Sequence, residues 1–431
     1  MRVLIICNDF PPLNSIGSRR PYSWYRWFKE FGVEPIVITK QWTKKIEKQE
    51  NIFKNPIEKE FQKEETEFGT IFRVPIKIIP PEKILLKNGE SNLIILRKAL
   101  TFIYKLFSFF SFFFDKHNGI YNQAKKYLKN EKVDVIIVSG EPFVLFRYGY
   151  LLSKKFGIPW VADFRDGWKL NHVAALKKDS LNRFLQLWEF YFEKKFIKNC
   201  SFITAPDPYL GEALGKLHNK KWKVVYNGFE EIQIHNLPNN SPCLILTYSG
   251  TLNPGQRLEF LLQAILELHL ENKIRPSDLN LNFIGIEYFK EQYLRLINFN
   301  DIISKYIYTT DRVSRNDALI INAKSDFLIA FTEKYYQVIP AKVFEYFACK
   351  KPILILPSDN GLLYNLINET KSGICFNTIN ELKYFLIEQI QKKKEKKEIY
   401  KIEQDDIKIA AYSRRKQSES MINFIKEIIR D

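Results

Sequence analysis

The chain has 431 residues, 45% hydrophobic and 27% charged, a composition that excludes a disordered protein and a length too great for one ordinary core. Its 66 Lys and Arg against 49 Asp and Glu leave a formal charge of +17, which favours anionic partners: nucleic acid, a nucleoside diphosphate or a phospholipid headgroup. Five widely spaced cysteines without a CxxC and five scattered histidines without an HxxxH argue against a disulfide framework and a structural zinc site, and fit a reducing, cytoplasmic location.

The opening "MRVLIICNDFPP" holds a short apolar run closed by Asp9, too short for a secretory leader, and reads as a first strand. Its exit carries Gly17 and Ser18 ahead of a helix in "RPYSWYRWF". Glycine lets backbone approach a ligand and a helix start favours an anion, with Arg19 and Arg20 adding charge. A second strand, "PIVIT", follows. Residues 98–114, "KALTFIYKLFSFFSFFF", predict an amphipathic helix. Lys98, Thr101, Lys105, Ser108 and Ser111 gather on one arc, and seven apolar side chains, Phe102 to Phe114, fill the other. The segment is short for a membrane span; it suits either a bilayer interface or packing on the first sheet. "DVIIVS", "WVADF", "SFITA" and "KVVYN" are further strands. "IPWVADFRDGW" ends in Asp163, Arg165, Asp166 and Trp168. Three charges at a strand end are costly unless paired or used. They read either as sugar-orienting or acid/base groups, or as an Asp–Arg pair beside a core tryptophan.

The Asn- and Pro-rich stretch 235–243 reads as a linker, after which the pattern restarts. "CLILTYSG", "LNFIGI", "DFLIAF" and "PILILP" predict strands separated by helices. The alternation predicts an α/β protein of two Rossmann-like domains with parallel sheets. The domains are expected over 1–234 and 244–410, with a closing helix over 411–431 that crosses back to the first. Gly250 and Thr251 end the first strand of the second block, and Arg257 precedes its helix, where it reads as a bidentate diphosphate clamp or as a surface arginine. In "IPAKVFEYFACKKPILILP", Pro340 starts a helix. The free amides of the first turn, Ala341 to Val343, favour a phosphate. Lys342 and Glu345 share a face, and the Glu345 carboxylate is suited to accept both hydroxyls of a vicinal diol. Phosphate at the tip and ribose behind it describe a bound nucleotide; a plain Lys342–Glu345 ion pair is the alternative.

This last stretch resembles the donor-site signature of glycosyltransferase family 4, a set of GT-B enzymes. "MRVLIICNDFPPLNSIGSRR" is similar to that family's opening strand and glycine loop, "IPWVADFRDGW" to the "DFRDPW" segment of one bacterial branch, "VVYNGF" to the close of its first domain, and "YSGTL" to the start of its second. The resemblance implies two facing Rossmann-like domains with a cleft between them. It implies a nucleoside-diphosphate-sugar donor held mainly by the second domain, and transfer with retention and no bound metal. Glu345 would then hold ribose; Pro340, Ala341, Lys342 and Val343 would meet the diphosphate, with Arg257, Gly250 and Thr251 assisting. Gly17 and Ser18 would face it from the other domain, and Asp163, Arg165 and Asp166 would orient the sugar. Two positions depart from the family pattern: Gln337 stands where many members carry a second glutamate, and Arg165 where many carry a histidine. The expected partners are the donor, a saccharide or lipid-linked acceptor in surface-polysaccharide or glycolipid assembly, and the inner membrane surface through 98–114. Alternatives are a nucleotide-sugar epimerase on the same fold and a non-enzymatic polyanion binder. The second lacks any helix-turn-helix or RNA-binding signature, so nucleic acid is not an expected partner.

Overall fold

A computed structural model describes residues 1–13, 15–43, 60–89, 92–170, 180–231, 237, 239, 241–334 and 337–430. The apolar runs form two sheets. The first contains β1 (Arg2–Ile6), β2 (Glu34–Lys40), β3 (Gln62–Glu65), β4 (Thr70–Val74), β5 (Val135–Ser139), β6 (Trp160–Asp163), β7 (Phe202–Ala205) and β8 (Trp222–Val224). Its order is β3-β4-β2-β1-β5-β6-β7-β8, parallel except for the antiparallel edge strand β3. The second contains β9 (Leu244–Ser249), β10 (Leu279–Ile284), β11 (Ile307–Thr310), β12 (Phe327–Phe331), β13 (Ile353–Leu356) and β14 (Gly373–Cys375). It is parallel throughout, in the order β11-β10-β9-β12-β13-β14. With β3 set aside, both sheets follow the doubly wound order in which the strand sequence reverses beside the first strand. The reversal lies between β1 and β5 in one sheet and between β9 and β12 in the other. Such a reversal leaves a crevice at the carboxyl ends of the strands, and ligands bind there.

The chain divides into two compact units, Met1–Asn227 with Arg414–Asp431, and Gly228–Ser413. The change falls at Gly228 because Phe229 donates its N–H to Tyr412 O at 3.3 Å and bridges Ser413, joining the start of the second unit to its end. Of the expected linker 235–243, residues 235, 236, 238 and 240 lie outside the described residues. Strands covered on both faces need apolar side chains at successive positions. In β1, Leu4 and Ile6 enter one core layer of the first unit, and Val3 and Ile5 the other. The last helix, Arg414–Arg430, closes that second layer with Met421, Ile422 and Ile425. In the second unit the helix Glu259–Leu270 buries Leu261, Leu262, Ile265 and Leu268 against β9, β10 and β12.

The helix expected over 98–114 is displaced toward the N-terminus, running Ile94–Phe107 with no buried residue. Beyond it Arg147 donates to the carbonyls of Ser108 and Phe110, both at 2.9 Å, and holds the chain in turns. Phe109 then enters the core against Trp168 and Phe192. Leu93, Ile95, Leu96, Phe110 and Phe113 stay exposed. Among the described residues no helix is long and apolar enough to cross a membrane.

Candidate functional site

In the first unit the exit of β1 carries the helix Ile16–Trp27, capped by Ser15, whose hydroxyl accepts from the Ser18 N–H at 3.1 Å. Arg20 points inward and is 2% exposed. It meets Asp163, which is 0% exposed, through Nε at 2.9 Å and Nη2 at 2.6 Å. Ser139 Oγ and Thr204 Oγ1 donate to the same carboxylate at 2.8 and 2.7 Å. A buried charge pair is tolerated when its remaining hydrogen-bonding capacity is filled, and here it is. Asp163 therefore anchors the helix across β5, β6 and β7, which corrects the expectation of a catalytic carboxylate. The pairing foreseen within the DFRD segment runs instead to Arg20, while Trp168 does pack in the core, stacked on Phe143 at 4.9 Å. Ser18 is also corrected: it is buried, with its hydroxyl on the Leu13 and Ser15 carbonyls at 2.8 and 2.7 Å.

Arg165 lies nearer the surface. Its Nη1 sits 3.2 Å from Asp9 Oδ2, its Nη2 donates to Glu141 O at 2.8 Å, and its Nε donates to Gly140 O. A Cβ on Gly17 would stand 1.6 Å from Arg165 Nη1 and 2.6 Å from Asp9 Oδ2, so glycine is required for the guanidinium to reach the end of β1. Asp166 keeps an exposed edge; the protein crowding its carboxyl, and then the Glu141 charge, push its pKa up to about 6.

In the second unit β9 ends at Gly250, whose φ of +95° only glycine adopts without strain. Lys342 comes from the short helix Ala341–Phe347, for which Pro340 is the N-cap. Its Nζ lies 3.4 Å over the Tyr248 ring and donates to Thr251 O at 3.3 Å, and a Cβ on Gly250 would stand 3.8 Å from it. Burial pulls the Lys342 ammonium well below the usual lysine range, and the nearby Glu333 charge opposes the shift. Glu333, just past β12, accepts from Asn253 Nδ2 at 3.3 Å, and burial raises its pKa. Arg257 is fixed by its own N–H to Thr332 O at 3.2 Å; its Nη2 reaches Glu333 O at 3.5 Å, and its buried Nε has no partner.

Glu345 pairs with Arg315 Nη2 at 2.7 Å, both half-buried, rather than with Lys342. Arg315 comes from the helix Arg315–Lys324. Val343 is corrected as a donor contact: its side chain is buried and its N–H returns to Pro340 O at 3.0 Å. The Ala341 and Lys342 amides meet no acceptor among the described residues. Gln337 packs its amide on the backbone of Gly361, where a Cβ would come within 2.1 Å. The next helix, Leu362–Thr370, has its N-terminus filled by Asp359, which accepts from Gly361, Leu363 and Tyr364 N–H. Thus Gly250, Thr251, Lys342 and Arg257 converge at the reversal point of the second sheet, and Gly17 and Arg165 at that of the first. Asp9, Tyr248, Glu333 and Arg315 escaped the sequence reading of the site, and Arg20, read as charge for a ligand, turns inward to Asp163 instead.

Residues 18–231 match the family model described as Glycosyltransferase Family 4. This chain carries a glycosyltransferase family 4 domain. No curated protein sequence matches the whole chain or any part of it. Among solved structures, this glycosyltransferase resembles sucrose-phosphate synthase from Thermosynechococcus elongatus at a TM-score of 0.62 and 12% identity, covering 99% of each chain. It resembles a glycosyltransferase from Rickettsia africae at 0.59 and 14%, covering 100% of this chain and 99% of the other. It also resembles Anabaena HepE in complex with UDP-glucose, at 0.54 and 12%, covering 99% and 100%. These likenesses extend the GT-B fold over the full chain, and family and fold together mark a sugar-transferring enzyme.

Proposed function

We propose that this glycosyltransferase moves a hexosyl group from a nucleoside-diphosphate sugar to an acceptor hydroxyl, with retention and without a bound metal. The observation that carries the reading is Lys342. It is a cation at the reversal point of the second sheet, beside Gly250 and Thr251, with no carboxylate within ion-pair distance among the described residues. An ammonium withdrawn from water without a counter-charge is unstable. A diphosphate supplies that charge, and the charge developing on this leaving group is what transfer must stabilise. Arg257 and the Ala341 and Lys342 amides add donors, and Gly250 admits the ligand close to backbone. Glu345, steadied by Arg315, accepts from the ribose hydroxyls. The complex of HepE with UDP-glucose supports a uridine diphosphate sugar as the donor class.

In the reaction the acceptor oxygen bonds to the anomeric carbon as the bond from that carbon to the diphosphate oxygen breaks. The acceptor proton passes to a phosphate oxygen of the departing diphosphate on the same face. Arg165 and Asp166, with Gly17 making room, orient the acceptor side. The exposed apolar helix Ile94–Phe107 and the turns after it support peripheral contact with the inner membrane surface, and with it surface-polysaccharide or glycolipid assembly from the cytoplasm.

The test is release of UDP from UDP-glucose by wild type and Lys342→Met. The variant should lose about 10²–10³ in rate while keeping its melting curve. Undiminished release overturns the assignment. A new nucleotide sugar formed from the donor alone would point to epimerisation instead.

A further inference from the structure

A second cationic cavity opens in the first unit, at the carboxyl ends of β2 and β4, and the donor chemistry at Lys342 does not use it. Its volume is about 210 Å³, and its walls include Lys40, Lys77, Lys116, His117 and the first turn of the helix Asn118–Asn130. The backbone holds these groups together. Gln41 donates its N–H to Val74 O at 2.9 Å, which ties the exits of β2 and β4. Asp115 accepts from His117 N at 2.8 Å and from Tyr148 Oη, which turns the chain into the helix with His117 as its N-cap.

The cavity is a built site rather than a surface patch. Lys40, the last residue of β2, is 5% exposed. Among the described residues its ammonium has no hydrogen-bond acceptor and no carboxylate within ion-pair distance. His117 is 9% exposed, and its Nδ1 is buried without a partner. The two other cations are engaged: Lys116 pairs with Glu82 at 2.7 Å, and Lys77 reaches the carbonyls of Phe113 and Asp115 at 3.4 Å. Asp115 accepts from His117 N and Tyr148 Oη, and its charge acts on Lys40 only from beyond ion-pair distance. Among the described residues the Asn118 and Gly119 amides meet no acceptor, while Ile120 N turns back to His117 O at 2.9 Å. Unpartnered donors, an unpaired ammonium and the positive end of a helix of 13 residues therefore line one small space. Burial and then the Lys116 charge push Lys40 down to about 7, and the charges of Glu82, Asp115 and Asp9 oppose that shift only in part.

We propose that this cavity binds a phosphoryl group, and, on the transferase reading above, that the group is a phosphate ester carried by the acceptor. A phosphate has several oxygens for the donors that converge here: the Lys40 ammonium, a neutral His117 imidazole protonated on Nδ1, and two backbone amides. The volume lies below the roughly 300–1,000 Å³ of pockets that enclose drug-sized ligands. It suits a phosphoryl group with a short stem and not a nucleotide sugar. Glu82, the partner of Lys116, belongs to the helix Pro80–Asn88, which packs on the exposed apolar helix Ile94–Phe107. The same chemistry thus has three sources: free phosphate, a sugar phosphate, or the phosphate of a membrane lipid.

Calorimetric titration at fixed ionic strength tests the proposal on the full chain. Inorganic phosphate and glucose 6-phosphate are titrated into wild type and Lys40→Met, with UDP-glucose titrated separately. Wild type should bind phosphate, and Lys40→Met should weaken it tenfold or more with UDP-glucose affinity unchanged. No phosphate heat in wild type, or equal affinity in the variant, overturns the cavity as an anion site. Glucose 6-phosphate bound at least tenfold tighter than phosphate supports a soluble ester. Loss, on Lys40→Met, of binding to phosphatidylglycerol vesicles supports the lipid source. Equal affinity for phosphate and glucose 6-phosphate, with vesicle binding unaffected by the variant, overturns the acceptor assignment and leaves a free-phosphate site. If phosphate binds but UDP-glucose does not, the transferase reading fails while the anion site stands. Should Lys40→Met fold poorly, Lys77→Gln gives the same comparison from the other wall, with a smaller expected loss of about threefold.

Discussion

Lys40 and Lys342 share a physical predicament: each carries an ammonium that the chain pulls from water with no carboxylate within ion-pair distance among the described residues. For Lys40 the consequence for stability has a definite sign. Its folded pKa, about 7, lies below the 10.5 of an exposed lysine, so between these values the unfolded chain binds more protons. Stability from this group therefore rises with pH across that window and is lowest below it. Lys40→Met should remove the slope and stabilise the first unit at pH 8 by an amount on the order of a few kcal/mol. Parallel melting curves of variant and wild type from pH 7 to 10 would contradict this. Gly17→Ala acts in the opposite direction. The methyl would overlap Arg165 Nη1, so the guanidinium must leave Asp9, and a cost of about 1–3 kcal/mol is expected. Chemical denaturation checks it, with Gly17→Ala/Arg165→Ala recovering part of the loss. Much of the candidate site in the second unit was legible in the sequence because its cues are local: Gly250 follows a strand, and Pro340 and Lys342 begin a helix. The partners were not, because Arg20 and Asp163 are 143 residues apart and Arg315 and Glu345 are 30 apart. No spacing rule joins such pairs before the sheets are assembled, and the saturation of Asp163 is visible only once Ser139 and Thr204 arrive on neighbouring strands.

At the scale of elements, most central strands announced themselves and most edges did not, β8 being the edge strand that was read, within "KVVYN". β3, β4, β11 and β14 went unread, and three of these are sheet-edge strands while β4 lies beside one. A strand covered on both faces needs a continuous apolar run, as in "VLII" or "ILIL", whereas β3 is exposed at every position and β14 only half-buried. The amphipathic helix was read with the right character and the wrong limits. The phenylalanine pattern continues past Phe107, but the grip of Arg147 on the Ser108 and Phe110 carbonyls ends the helix, a tertiary contact that periodicity does not register. What remains is a helix with Ile95 82% exposed, followed by Phe113 at 72%. Exposed apolar surface of this kind, edged by Arg97 and Lys98, suits an anionic bilayer interface. Ile95→Glu/Phe113→Ser should leave the melting curve unchanged and reduce flotation with phosphatidylglycerol vesicles at least fivefold. Equal flotation would remove the membrane from the account.

For the molecule as a whole, the first unit is built from two distant pieces of chain, and this makes its stability depend on the last helix. Met421, Ile422 and Ile425 are at most 1% exposed and pack in one layer with Val3, Ile5, Val37 and Val135. Losing a buried aliphatic side chain costs about 2–5 kcal/mol, so losing three approaches the roughly 5–15 kcal/mol by which a domain is stable. The second unit, Gly228–Ser413, has its own core and holds Gly250, Arg257, Lys342 and Glu345. A chain ending at Ser413 should therefore lose the cooperative transition of the first unit and keep that of the second. Because two units are present, melting is not treated as a single transition. Scanning calorimetry with and without UDP-glucose separates them: at a hundredfold excess over its dissociation constant, a ligand adds about 2.7 kcal/mol to the unit that binds it. In the shortened chain the surviving transition should still move up with UDP-glucose. If the nucleotide sugar no longer moves it, donor binding does not reside in the second unit alone. If both transitions persist unshifted, the last helix does not complete the first core.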